Sequence, residues 1–191
     1  MFKKYFSYLF IKRAGKYLDE TPRERRFVNY DSAKTVLLLF ESDFSEKNPE
    51  VKKIIYQLQQ DGKKVSAWGF LDKKEIATAI LPDFRILHHK QTDLSKRPLV
   101  SYLNELENLE FDLLIDLSLK QVLTLEYIVM YAKAHCKAGL KKTDLPIYDF
   151  MIDTENVTTK ADDSDIMVNT IDETYLFNQI IFYLKSIQTT D

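Results

Sequence analysis

An α/β fold built on a mostly parallel sheet is predicted by three features of the chain. Apolar runs of strand length recur at residues 35–40, 64–70, 111–115 and 147–152. Between them, apolar residues fall three and four positions apart, the spacing of amphipathic helices. The clearest unit, residues 111–140, reads as a buried strand, a tight turn, an amphipathic helix and a second short strand. Strands alternating with helices at this spacing imply right-handed crossovers, hence parallel strands with helices on both faces of one sheet.

Residues 1–18 read as a helix with Phe2, Tyr5, Phe6, Leu9 and Phe10 on a broad apolar face and Lys3, Lys4, Lys12 and Arg13 around it. A secretory signal begins similarly. Here the apolar stretch 5–11 is short, carries two tyrosines and ends in Lys12-Arg13 with no small-residue cleavage site, so the segment is expected to stay on the mature protein. It suits either an interfacial membrane helix or a helix docked on its own domain or a partner subunit. The bulky aromatics favour docking on protein. Charged residues and Pro22 make the following stretch a connector, which divides the chain into an amphipathic basic segment, 1–31, and an α/β domain, 32–191.

Residues 35–40 form the first buried strand and lead into an acidic turn, Glu41-Ser42-Asp43. Asn48 followed by Pro49 marks a helix start, a cap and then proline at the first helical position. That helix buries Val51, Ile54, Ile55 and Leu58, and Gly62 ends it. Residues 64–70 are the second strand, 72–80 a short helix, and 84–87 a brief third strand. Pro98 begins a helix carrying Leu99, Tyr102, Leu103 and Leu106. After the fourth strand, Ser118 to Gln121 has the form of a capping box, with Leu117 and Val122 placed as a hydrophobic staple. The helix it opens puts Val122, Leu125, Tyr127, Ile128, Tyr131 and Ala132 largely on one side. Residues 147–152 are a last strong strand. A polar, acidic loop follows, 166–168 have the pattern of a small edge strand, and a second capping box at Thr170 to Glu173 opens a terminal helix.

This succession predicts a Rossmann-like, doubly wound sheet in the order 3-2-1-4-5 with residues 147–152 as the sixth strand; the alternative is the flavodoxin-like order 2-1-3-4-5. In the first order, the first and fourth strands meet where the winding reverses. Ligands of such sheets bind outside the carboxyl ends of the strands at that crevice.

Composition narrows the function classes. The 191-residue chain is long enough for one domain with a sizeable core. Its net charge of -2 does not suit a nucleic-acid binder, although residues 1–26 alone carry +5. A single cysteine, Cys136, excludes an intramolecular disulfide and points to a reducing cytoplasm. No apolar run approaches the ~20 residues a membrane span requires.

Acids cluster at strand ends: Glu41 and Asp43 after the first, Asp116 after the fourth, Asp153 after the sixth. Gathered on one rim, such carboxylates hold Mg²⁺, or act as acid and base if burial separates their pKa values. Strand-to-helix turns also favour Asp and Ser as caps, and that reading covers Ser118, which lacks a G-x-S-x-G elbow. His88, His89 and His135 show no zinc spacing, and adjacent histidines on a strand face opposite ways. The four glycines, Gly15, Gly62, Gly69 and Gly139, form neither G-x-G-x-x-G nor a phosphate loop, so no nucleotide or other cofactor is expected. Cys136, without a C-x-x-C partner, reads as a small buried apolar residue.

The segments VLLLFESDF, GKKV, FDLLIDLSLKQVLTLEYIVMYAKAHCKAGL and YDFMID together resemble an uncharacterised bacterial family of the Bacteroidetes type, a domain of unknown function expected to cover residues 34–187. That resemblance implies no catalytic residues. FDLLIDLS with the helix after it, and AKAHCKAGL, is also similar to the amino-terminal half of heptosyltransferase-like glycosyltransferases, whose second, nucleotide-sugar-holding half has no counterpart here. Two functions follow as expectations. One is a non-enzymatic module that binds a protein partner or forms a homodimer through the amino-terminal helix. The other is a small-ligand or divalent-metal enzyme at the crevice of Glu41, Asp43, Asp116, Ser118 and Asp153.

Overall fold

The structure, a computed structural model, describes residues 2–23, 25–42, 48–72, 84–153 and 171–187. Six strands form one sheet: β1 (Thr35–Glu41), β2 (Lys64–Leu71), β3 (Arg85–His88), β4 (Glu110–Asp116), β5 (Lys133–Leu140) and β6 (Phe150–Ile152). Their order is β3-β2-β1-β4-β5-β6, and every neighbouring pair is parallel. This is the doubly wound order expected from the sequence, with β1 and β4 adjacent where the winding reverses.

Helices α1 (Phe2–Glu20), α2 (Pro49–Gln60), α3 (Val100–Glu107), α4 (Leu123–Tyr131) and α5 (Glu173–Ser186), with a single 3₁₀ turn at His89–Gln91, complete the described elements. Alternation along β1 splits the core. Val36, Leu38 and Phe40 pack with α2 and α5 on one face, Leu37 and Leu39 with α3 and α4 on the other. α1 lies outside α4, where Phe10 and Ala14 are fully buried and Phe10 meets Tyr127 edge-on at 4.8 Å. Among the described residues no helix is long and apolar enough to cross a membrane.

Several local expectations are corrected. α4 is buried on nearly its whole circumference from Thr124 to Met130, because α1 covers the side that an amphipathic helix would leave to water. Its N-cap is Val122, with no side-chain cap, and Ser118 stands outside the helix. The terminal helix is capped by Asp172, whose carboxylate accepts the Tyr175 N–H at 2.7 Å, and Thr170, the first residue of the expected box, lies outside the described residues. Asn48 precedes α2 as expected, but its side chain bonds Ser42 and the Glu41 carbonyl and so closes the end of β1. β6 is shorter than 147–152: Ile147 and Tyr148 turn into the core, and pairing with β5 begins as the Asp149 N–H meets the Lys137 carbonyl. The helix expected at 72–80 and the edge strand at 166–168 fall almost wholly outside the described residues. Gly62 ends α2 as read, at φ 76°, in the left-handed region that suits glycine.

Candidate functional site

The carboxyl ends of the strands form two different environments side by side. Beneath the surface, Asp116 ends β4 with its carboxylate at 0% exposure. Its Oδ1 accepts the Ser118 N–H at 2.9 Å and the Ser118 hydroxyl at 2.5 Å. Its Oδ2 accepts Lys142 Nζ and the Tyr148 hydroxyl, each at 2.6 Å. Lys142 also donates to the Ser118 Oγ at 2.6 Å and to the Ser118 carbonyl at 3.1 Å. Four donors match the four lone-pair sites of a carboxylate, so bonds within the protein satisfy Asp116 in full. The Ser118 proton points at Asp116 and its oxygen receives Lys142, an arrangement that ties loops together rather than activating a nucleophile.

Electrostatics agree with that reading. Burial opposes charge on Asp116 more than any other influence, yet the Lys142 ammonium and the bonds from Lys142, Ser118 and Tyr148 together hold its carboxyl below the usual range. Burial, reinforced by Asp116, drives the Tyr148 phenol well above its ordinary value. Nearby Glu126 is also fully buried, on α4, with Gln121 Nε2 at 3.1 and 3.4 Å from its two oxygens. Burial pushes its carboxyl up to about 7, against the opposing influence of Gln121 and Lys142.

The other strand-end acids among the described residues have lysine partners as well. Glu41 pairs with Lys120 at 2.6 Å and Asp153 with Lys141 at 2.9 Å. Asp43 lies outside the described residues. Among the described residues no cluster of three or more His, Cys, Asp or Glu side chains is placed to hold a metal. Cys136 is buried in the core, where burial raises its thiol to about 11.

Above this network lies a pocket of about 500 Å³ between the ends of β1 and β2, the 117–122 turn and the start of α4, with α1 as its outer wall. Phe6, Phe70, Leu71 and Val122 supply an apolar lining; Glu41 with Lys120 forms one rim. The other rim is formed by Asp72 and Lys96, from the β2–β3 and β3–α3 connections, with His89 bridging them from behind. His89 Nε2 lies 2.8 Å from Asp72, and its Nδ1 lies 2.9 Å from Lys96 Nζ. An Nε2–H toward Asp72 and a bare Nδ1 toward the Lys96 ammonium satisfies both contacts. Lys96 is held at φ 67°, in the left-handed region, by a turn in which the Asp93 carboxylate accepts the N–H groups of Ser95 and Arg97. Thr124 donates to the Lys96 carbonyl at 2.9 Å, which fastens this turn to α4.

Of the four sequence candidates among the described residues, only Glu41 lines this pocket. Reading the sequence missed Asp72, His89, Lys96, Lys120 and Gln121. The adjacent histidines were a signal, since His88 and His89 do make separate contacts, but the partner of His89 comes from another strand end.

Fold and site together define a doubly wound α/β protein with a mixed-charge pocket at its switch point. The chain belongs to a family of unknown function, DUF6913, which it matches over residues 3–162. The match takes in α1, which the resemblance seen in the sequence left out, and ends before α5. No curated protein and no solved structure matches the chain, and the heptosyltransferase resemblance finds no support.

Proposed function

We propose that the chain is a non-enzymatic α/β module whose switch-point pocket takes a small organic ligand with an apolar body and a polar or charged head. The observation that carries this reading is the pocket of about 500 Å³ at the carboxyl ends of β1 and β2, where doubly wound sheets bind their ligands. Its apolar lining suits the body, and Glu41 with Lys120 on one side and Asp72 with Lys96 on the other offer both signs of charge to the head. A lysine in the left-handed region costs roughly 1 kcal/mol, a strain typical of residues that serve a site. Binding rather than catalysis is supported by the lining hydroxyls. Of the lining hydroxyls contributed by the α/β domain, Ser42 donates to Asn48 and Thr124 to the Lys96 carbonyl, so neither faces a base.

A thermal-shift screen of small metabolites tests the reading, run beside Ser7→Trp, which places an indole in the pocket from the α1 wall without touching the sheet. A ligand should raise the wild-type melting temperature, and the rise should vanish in Ser7→Trp. Hits that Ser7→Trp keeps in full, or a broad panel without a hit, count against the pocket.

A second reading rests on α1. Tyr5, Tyr8 and Ile11 are exposed on the side away from the docked Phe10 and Ala14. We read this outer stripe as the contact for a protein partner or a second copy of the chain in the cytoplasm, since exposed tyrosines suit an interface that is apolar at one end and wet at the other. The combined Tyr5→Ser, Tyr8→Ser, Ile11→Ser variant should then lower the oligomeric mass seen by light scattering. Loss of binding to anionic vesicles, with unchanged mass, favours a membrane surface instead.

A further inference from the structure

A second cavity, of about 450 Å³, opens at the other end of the sheet, beside the amino-terminal ends of β4 and β5. The end of α1, the connector after it and the last turn of α4 wall it. Its described charged lining is one-sided: Arg23, Arg25, Lys133 and Lys137 face a single acid, Glu110, which is 73% exposed and 3.6 Å from the His135 ring.

The cations differ in depth. Lys137 is 2% exposed; its Nζ donates to the carbonyls of Val129 at 2.5 Å and Met130 at 3.4 Å, at the carboxyl end of α4. Arg23 enters from the connector, donates to the carbonyls of Ala134 and His135, and pairs with Asp149. Arg25 bonds the Pro146 carbonyl at 3.0 Å and approaches Asp149 at 3.7 Å. Arg23 and Arg25 thus share one buried carboxylate, while the bonds of the Lys137 ammonium go to backbone carbonyls.

Helix capping accounts for the position of Lys137, and fastening the connector accounts for Arg23. Neither needs a second arginine and a further lysine at the same opening. Excess positive charge in a poorly solvated site is unfavourable, and a bound anion relieves it. In keeping with this, burial first, and then Arg23 and Arg25, push the Lys137 ammonium down to about 7 against the pull of Asp149.

We propose that this cavity binds a small soluble anion bearing phosphate or carboxylate groups, with Arg25 and Lys133 at its mouth and Arg23 and Lys137 supplying positive charge from within. Arginine forks suit both groups, which they meet with paired N–H donors. The volume admits a metabolite-sized molecule. This site is separate from the switch-point pocket, and neither proposal depends on the other.

Titration calorimetry of the full chain at low ionic strength, with inorganic pyrophosphate and with citrate, tests it. Saturable one-to-one binding of at least one probe is expected, weakened tenfold or more in Arg25→Gln/Lys133→Gln, with amide shifts centred on residues 133–137. Lys137→Met should weaken binding further. If circular dichroism shows that variant unfolded, the exposed double variant alone carries the test. Absence of saturable binding to either probe, equal affinity in the double variant, or binding only to vesicles bearing phosphorylated headgroups overturns the proposal.

Discussion

Lys142→Met isolates the contribution of the buried Asp116 network. Lys142 is 4% exposed and makes three of the bonds that hold the network, one to Asp116 and two to Ser118. Its removal leaves an ionised carboxylate at 0% exposure with Ser118 and Tyr148 alone. Breaking a buried ion pair from one side costs about 3–5 kcal/mol. For a chain of this size each kcal/mol lowers the melting temperature by roughly 2–4 °C, so a fall of roughly 6–20 °C is expected in calorimetry. The exposed pair gives the contrast: Lys120 is 78% exposed, and Lys120→Met should change stability by less than about 1 kcal/mol. The pH dependence follows from sign. Asp116 is held below its ordinary range, so its contribution is complete above the unfolded carboxyl pKa near ~4 and is lost as pH falls through the folded value. Without Lys142, burial dominates and the carboxyl rises instead. The deficit of Lys142→Met should therefore be largest near neutrality and narrow on acidification. A deficit below about 1 kcal/mol in urea unfolding at pH 7, or one that widens in acid, would refute this account of the network.

Three further outcomes are expected. Glu126 is raised by burial to about 7, so its folded form binds more protons than the unfolded chain between its ordinary value and 7, and stability should fall by about 3 kcal/mol as pH rises across that window; Glu126→Gln should flatten the slope, and an unchanged slope in urea titrations at pH 5 and 8 assigns it elsewhere. A Cβ at Gly69 would lie 2.6 Å from Phe40 and 2.7 Å from Ile86, so Gly69→Ala should cost about 1–3 kcal/mol, and a melting temperature equal to wild type contradicts that packing. Phe10→Ala should cost about 3 kcal/mol because its ring is fully buried against Tyr127, and deletion of residues 2–18 should lower the melting temperature or expose apolar surface to a reporter dye; stability indifferent to both shows that α1 is not docked in solution.

Much of the fold was legible because it depends on local patterns. The runs of β1 and β4, Pro49 at the start of α2 and Gly62 beyond its end each report their own segment, and right-handed crossovers then restrict the sheet order. What the sequence hid depends on contacts between distant segments. Ser118 has the spacing of an N-cap, but the Asp116 carboxylate two residues earlier takes both its N–H and its hydroxyl. The acids at the strand ends were visible, and their partners were not. Lys142 reaches Asp116 from 26 residues away and Lys120 reaches Glu41 from 79, distances that only the closed sheet makes short. Likewise α4 looked amphipathic because nothing in its own spacing announces that α1 covers its outer side. Asp72, His89 and Lys96 meet only where the β2–β3 and β3–α3 connections converge.

The central claim is that the switch-point pocket is a ligand site, and backbone amide shift mapping tests it most directly. A small molecule that stabilises the wild-type chain should move the amides of Glu41, Ser42, Phe70 to Asp72 and Lys120 to Thr124, which surround the pocket, and leave residues 133–137 unmoved. Shifts absent from those segments and gathered at residues 133–137 or along the exposed side of α1 would contradict it.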